Sequence, residues 1–453
     1  MNHQLFEPFY SIPSKQWKNK IQYELAGADY NTTLVWESLE GIKVRPFYHR
    51  DDRQSFTVDT KTSQWSILQP IYVYDVDKSI QNALTSLQKG TEALYFTIPH
   101  TKINLQQLLL ALPQQGVYFF RFAFLEETYI KQVILWAKQQ AYTIHVLVDP
   151  IHQLVTDGNW FHSLPQDFTI LESLIQTQPG IHLVIDLKAY QNAGANTIQQ
   201  IAYACSHLNE YFTRLVAIEQ PIFIEVAIGA NFFFEIAKLK ALRLLVQLIG
   251  QEYPQHQVNI KIIAVPTKRN KTVYASTINQ MRTITECLSA VLGGADYVGN
   301  FPYDALYRKD NFSSQQMARD QLLLLKKEGH LDWVDNPTDG TYYLDDLTKQ
   351  LVEKALDIFK QIEKADGFIT SIHEGTIQRK INESAAKEQA LFQANQEVLV
   401  GINTLTTPQE QVQPQLELYP FVKQNPRKTL VVPLIERRLA ELEEQKRLTA
   451  ETK

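Results

Sequence analysis

From about Ala93 onward the chain alternates short apolar runs, rich in β-branched and aromatic residues, with stretches whose apolar positions recur every three or four residues. The runs are EALYFTI, GVYFFRFAF, YTIHVLVD, HLVIDL, PIFIEVAIG, VNIKIIAV, ADYVGNF and EVLVGIN. Strands buried on both faces lose the clean period of two. Most of the intervals supply the dozen or more residues that a parallel crossover needs. Eight such units predict an α/β fold, a closed (β/α)8 TIM barrel spanning residues 87–403. The interval from Tyr303 to Gln396 is longer than the others and holds three helical stretches, so it reads as a helical insertion (about 304–396) before the last strand. Alternate residues of a strand point inward. At least some of Tyr95, Phe96, Tyr118, Phe119, Phe120, Phe122 and Phe124 are therefore expected to fill the barrel centre.

Residues 1–86 mix a short amphipathic piece, SKQWKNKIQYELAGA, with VWESLEGIKVRPFYHRDD, which alternates and turns; they read as an N-terminal arm and barrel entry. Phe6, Phe9, Tyr10, Ile12, Trp17, Ile21 and Leu25 are too apolar for a segment too short to hold its own core, which points to a partner surface, with packing back on its own barrel as the alternative. Residues 404–453 open with a polar Pro/Gln-rich linker and close with VVPLIERRLAELEEQKRLTAETK, read as a charged, solvated helix starting near Pro433.

Composition narrows the chemistry. A net charge of -5 without a basic cluster argues against nucleic acid. No apolar stretch of about 18 residues and no cleavable leader pattern is present, so a cytoplasmic protein without membrane contact is expected. The two cysteines, Cys205 and Cys287, lie in apolar helical contexts without metal-ligand spacing and read as buried free thiols. GGADYVG at 293–299 precedes its strand instead of following it, which excludes a dinucleotide fingerprint.

Longer strings say more. The run from Asn231 to Arg243, NFFFEIAKLKALR, resembles a segment shared by both chains of the methylmalonyl-CoA mutase family. NQMRTITECLSAVLGGADYV, DNPTDGTYYLDDLT, QRKINESAAKEQALF, VLVGIN and EGIKVRPFY resemble further family segments, in family order. The resemblance marks Asn231, Phe232, Phe233, Glu235, Lys238, Arg243, Asn279, Arg282, Thr283, Gly293 and Gly294 as signature positions with structural roles. As a bare pattern, Phe233, Ile236, Ala237, Leu239, Leu242 and Leu245 form the apolar face of an amphipathic helix on the barrel.

The family carries out radical chemistry with adenosylcobalamin, ligated through an Asp-x-His-x-x-Gly motif in a separate domain. None of the 11 histidines here follows an Asp by two positions, and about 50 residues follow the predicted last strand, too few for such a domain. Aligned on Trp65, the family's catalytic Tyr and Arg fall on Thr60 and Leu68, and its catalytic His, placed before an Ala-Gly-Ala turn, falls within one residue of Ala189. His182 lies ahead of its strand, not at the C-terminal end where barrels place catalytic groups. The resemblance therefore implies a non-catalytic small subunit with no catalytic, cofactor or metal residues of its own. Its partner in a heterodimer would be a large subunit that binds adenosylcobalamin and interconverts methylmalonyl-CoA and succinyl-CoA.

Two alternatives remain open: a stand-alone barrel lyase or isomerase acting on acyl-CoA through Asp149 and Asp186, and an acyl-CoA-binding protein without chemistry. Strand-end aspartates commonly cap the next helix. Glu219 and Glu225 are candidates for a carboxylate pair but have no defined partner spacing, and read as hydrogen-bonded structural groups.

Overall fold

The structure, a computed structural model, describes residues 11–53, 56–407, 409–423 and 426–451. Eight parallel strands close into a barrel: β1 (Ser66–Tyr72), β2 (Ala93–Ile98), β3 (Val117–Phe122), β4 (Ile144–Val148), β5 (Ile181–Asp186), β6 (Ile222–Ile228), β7 (Ile260–Pro266) and β8 (Tyr297–Gly299). Tyr297 stands opposite both Ile263 and Ser66, which closes the ring. Helices cover the outside, and their apolar faces meet the outward side chains of the strands in one continuous core.

The TIM barrel expectation holds, with one strand exchanged. EVLVGIN is not a barrel strand: Val398 and Val400 are exposed, and Val400 makes a single bridge to Thr404. SILQPIY, from the segment read as an arm, is the first strand instead. Pro70 disguises it, because proline cannot donate to a ladder and is disfavoured inside sheets. Glu92 N donates to Ile67 O, so odd-numbered residues of β1 face β2 and the missing N–H of Pro70 faces β8. The β8 ladder stops at Leu68, so Pro70 deprives no partner there. The helical segment consequently follows the last strand. It contains helices Phe312–Leu323, Tyr342–Lys364, Phe368–His373 and Thr376–Gln393, the second of which packs on helices Thr197–Arg214 and Phe232–Gln251.

The solvated C-terminal helix is also corrected. It begins at Glu441, not Pro433, and residues 430–439 run ahead of it as a strap across loops at the C-terminal end of the barrel. Val431 N donates to Gly158 O (3.1 Å), Leu434 N to Val155 O (2.8 Å), Arg437 N to Asn192 O (3.0 Å) and Leu439 N to Arg269 O (2.8 Å). Gly158, at φ +84°, admits the strap, since a Cβ there would stand 2.7 Å from Val431 O. The Glu444 side chain is closed off from solvent, which raises its pKa, and its pairing with Arg438 and the bond it accepts from Val273 N offset part of that desolvation.

Of the arm aromatics, Phe6, Phe9 and Tyr10 lie outside the described residues. Helix Ser14–Glu24 buries none of its residues, and Trp17 meets the body edge-on at Phe47. No helix among the described residues is long and apolar enough to cross a membrane. Both cysteines are free and buried.

Candidate functional site

The barrel axis is filled in layers. At its lower, N-terminal end His145 and His182 face each other, Nδ1 to Nε2, at 2.9 Å. His182 is the second residue of β5, inside the strand and not ahead of it. Its Nδ1 lies 3.2 Å from Pro221 O, which can only accept, so Nδ1 carries a proton and Nε2 is free to accept from His145. Both rings are thus satisfied while neutral. Burial, followed by the facing His145, pushes the His182 pKa down to about 4.

The middle layer is aromatic. The Phe119 ring lies 4.9 Å from Tyr297, 5.4 Å from Phe223 and 5.2 Å from His145, with Leu68, Leu147, Val184 and Ile263 in the same cluster. Of the strand rings expected to turn inward, Tyr95 and Phe119 do so. Phe96, Tyr118, Phe120 and Phe122 face the helices, and Phe124 packs on that outer core.

Above this layer lies a polar cluster built from five neighbouring strands, β2 to β6, and the two helices Lys188–Ala193 and Thr197–Arg214. Tyr95 donates to Glu225 Oε1 at 2.6 Å, and Lys188 pairs with Glu225 and lies 3.4 Å from Asp186. Asp149 Oδ1 accepts from His152 N (2.9 Å), His207 Nε2 (3.0 Å) and Tyr211 Oη (2.7 Å), and its Oδ2 accepts from Asp186 N (3.0 Å). His207 Nδ1 faces Tyr190 Oη at 3.1 Å. Arg121 is buried among these groups; burial works against its charge, and Tyr95, Asp149, Glu225 and Asp186 outweigh it. For Asp149, burial favours the neutral acid, but His207, Arg121 and His152 hold the carboxyl well below the usual carboxylate range.

Three acids (Asp149, Asp186, Glu225) are therefore set among Arg121 and Lys188, with His152 and His207 alongside, and most of the charge is compensated within the cluster. Asp149 caps helix Pro150–Asp157 as the strand-end reading expects, and Asp186 accepts the Lys188 N–H. Glu219 is exposed ahead of β6 and does not meet Glu225, so no carboxylate pair forms. Arg121, Lys188, His207 and Tyr211 were not picked out by sequence reasoning. The one signal for them was His207 and Tyr211, a helical turn apart and hence on one face.

A cavity of about 410 Å³ opens above the cluster, with Leu68, Tyr95 and Ile263 among its deeper residues and Lys188, Asn192, Lys268 and Glu436 nearer the strap. Leu68 belongs to the apolar axis layer. Ala189 is buried in the short helix Lys188–Ala193, and its neighbour Lys188 supplies the side chain that reaches inward. Thr60 is at the opposite end: its N and Oγ1 lie 2.6 and 2.7 Å from Asn336 Oδ1, and its methyl would meet a Cβ on Gly294, in the turn that leads into β8.

The signature residues join elements together. Arg243 reaches Gly294 O (2.6 Å) and Asp296 Oδ2 (2.7 Å), tying helix Phe232–Gln251 to the Gly293–Gly294 turn. Gly293 leaves room for Leu239 and Gly294 adopts φ +85°. Lys238 pairs with Glu235 and donates to Ala227 O (2.8 Å) and Gln200 Oε1 (3.0 Å). Asn279 donates to Thr272 O (2.8 Å) and Tyr303 O (3.0 Å), Arg282 to Val400 O (2.8 Å), and Thr283 to Gln321 Oε1 (3.0 Å). Asn231 precedes the helix without a side-chain cap bond. Phe233 is corrected as a core position: it is 46% exposed and meets Phe232 and Tyr343, whereas Phe234 is the buried ring.

Comparison with known proteins identifies the family behind this arrangement. Methylmalonyl-CoA mutase small subunits are 29% identical over 436 residues in Porphyromonas gingivalis and 24% identical over 437 residues in Streptomyces virginiae. These matches cover 88% and 86% of this chain and 70% of each relative. The large subunit from Porphyromonas gingivalis is 28% identical over 257 residues, 53% of this chain and 35% of that one. The methylmalonyl-CoA mutase family pattern matches residues 128–446, and the chain belongs to that family.

Proposed function

We propose that this chain is the small, non-catalytic subunit of an adenosylcobalamin-dependent methylmalonyl-CoA mutase, supporting a large subunit that binds the cofactor and interconverts methylmalonyl-CoA and succinyl-CoA. The observation that carries this reading is the filled axis. The family threads the pantetheine arm of its substrate through the barrel, and here Phe119, Phe223 and Tyr297 occupy that line in mutual contact. The positions matching the family's Tyr, Arg and His offer Thr60, Leu68 and Ala189, whose surroundings are structural.

The residues at the mouth do not fit adenosylcobalamin. His207 is held by Asp149, His152 Nδ1 lies 3.7 Å from Asp186 Oδ2 in a buried position, and the strap at 430–439 binds the loops at that end of the barrel. The Porphyromonas gingivalis relatives carry the names small and large subunit, which supports a partner of the second kind.

The test is reconstitution. The purified chain should leave the absorption bands of added adenosylcobalamin unchanged and show no mutase turnover. Co-expressed with a cobalamin-bearing large subunit, it should co-purify in equal amounts with activity in the complex. Stoichiometric cofactor binding or turnover by the chain alone would overturn the proposal.

A further inference from the structure

Outside the barrel, helices Val76–Gln88 and Phe312–Leu323 frame a groove of about 860 Å³ that none of the preceding contacts uses. Arg319 lines it, only 4% exposed. Among the described residues its side chain makes one hydrogen bond, a long one from Nη1 to Ser86 Oγ at 3.4 Å, and its Nε has no partner. Burial pulls the guanidinium pKa down, and Asp320 is the acid that opposes this without forming an ion pair with it among the described residues.

A buried cation without a paired acid is unfavourable, and a planar guanidinium is suited to grip phosphate through two parallel hydrogen bonds. Lys78 and Lys309 add positive charge to the groove, against the single lining acid Asp310. Its rim also carries apolar rings open to solvent: Tyr72, Tyr74 and Phe312 are 59%, 67% and 58% exposed. Exposed aromatic faces beside excess positive charge suit a ligand that joins a flat ring to a phosphate, since bases stack on such faces whatever their identity.

We propose that this groove binds a nucleoside phosphate, with the phosphate on Arg319 and the base against the Tyr72, Tyr74 and Phe312 rim. The site lies outside the barrel, and its occupancy does not depend on the subunit role proposed above.

Calorimetric titration of the full chain with ADP, adenosine and inorganic phosphate tests it, alongside Arg319→Met and the rim variant Lys78→Gln/Lys309→Gln. ADP should bind the native chain, with inorganic phosphate and adenosine each about tenfold weaker or more, because each supplies half of the recognition. Arg319→Met should lose about tenfold or more in ADP affinity, as expected for a charge-assisted contact, while its ligand-free melting temperature holds or rises because an unpaired charge has been removed. The rim variant should bind ADP more weakly at low salt with unchanged melting. Failure of ADP to bind, equal binding of inorganic phosphate, undiminished binding by either variant, or a lower ligand-free melting temperature in Arg319→Met would each overturn the assignment.

Discussion

His207 donates through Nε2 to Asp149 Oδ1 at 3.0 Å, with both side chains fully closed off from solvent. The same carboxylate also accepts from Tyr211 Oη, His152 N and Asp186 N, which makes Asp149 an anchor between β4, β5 and helix Thr197–Arg214. Asp149→Asn should lower unfolding free energy by about 3 kcal/mol at pH 7, in the range for breaking a buried pair. The folded-state pKa lies below the unfolded value of about 3.9, so this contribution is complete at neutral pH and is lost as pH falls below about 4. Urea denaturation at pH 7 and pH 3 should show the gap between native and variant narrowing with acid. An unaltered midpoint at pH 7 would rule out the anchor.

His182 has the opposite chemistry and the same direction of pH dependence. Its pKa of about 4 lies below the unfolded value, so its neutral form is the one the fold favours. Stability from this group is complete above about pH 6.5 and declines by about 3 kcal/mol as pH falls toward 4. His182→Gln should flatten that decline. Denaturant midpoints measured at several values between pH 7 and pH 4 decide it, and parallel slopes for the two chains would refute it.

Phe119 touches Tyr297, Phe223 and His145 at the barrel centre. Phe119→Ala should cost about 3–5 kcal/mol, because the surrounding strands cannot collapse into the space. The void left is apolar and should admit xenon. A loss under about 1 kcal/mol would mean that the ring carries little of the packing.

The arm offers a separable test, since helix Ser14–Glu24 contributes no buried residue to the described structure. Removing residues 1–25 should leave the melting transition of the isolated chain nearly unchanged. It should weaken pairing with a large subunit and lower the activity of the complex, as interface aromatics typically carry ~1–4 kcal/mol each. Pull-down and calorimetry on the same preparation separate the effects: lost stability with unaltered pairing would place the arm on its own barrel.

Period and composition were enough to announce a parallel barrel, because strands covered on both faces must be apolar throughout and their crossovers must be helical. The same property hid which rings turn inward. A run such as VYFFRF shows no alternation, and only closure of the ring sends Phe119 to the axis while its neighbours Tyr118 and Phe120 face the helices. Pro70 concealed β1, whose fitness as a strand depends on where the short β8 ladder stops, and VLVGIN imitated a strand without having a neighbour to pair with.

The signature strings were legible as local chemistry: a Glu-x-x-Lys helix turn and a Gly-Gly turn with one positive φ. The polar cluster was not. Arg121, Asp149, Lys188, His207 and Glu225 come from separate elements, and no spacing along the chain encodes their meeting. The sequence by itself determined the kind of barrel and its family segments, since these follow from hydrophobic period and local turns. Only the tertiary structure decided which side chains fill the axis and neutralise one another, because those contacts are set by strand register and closure.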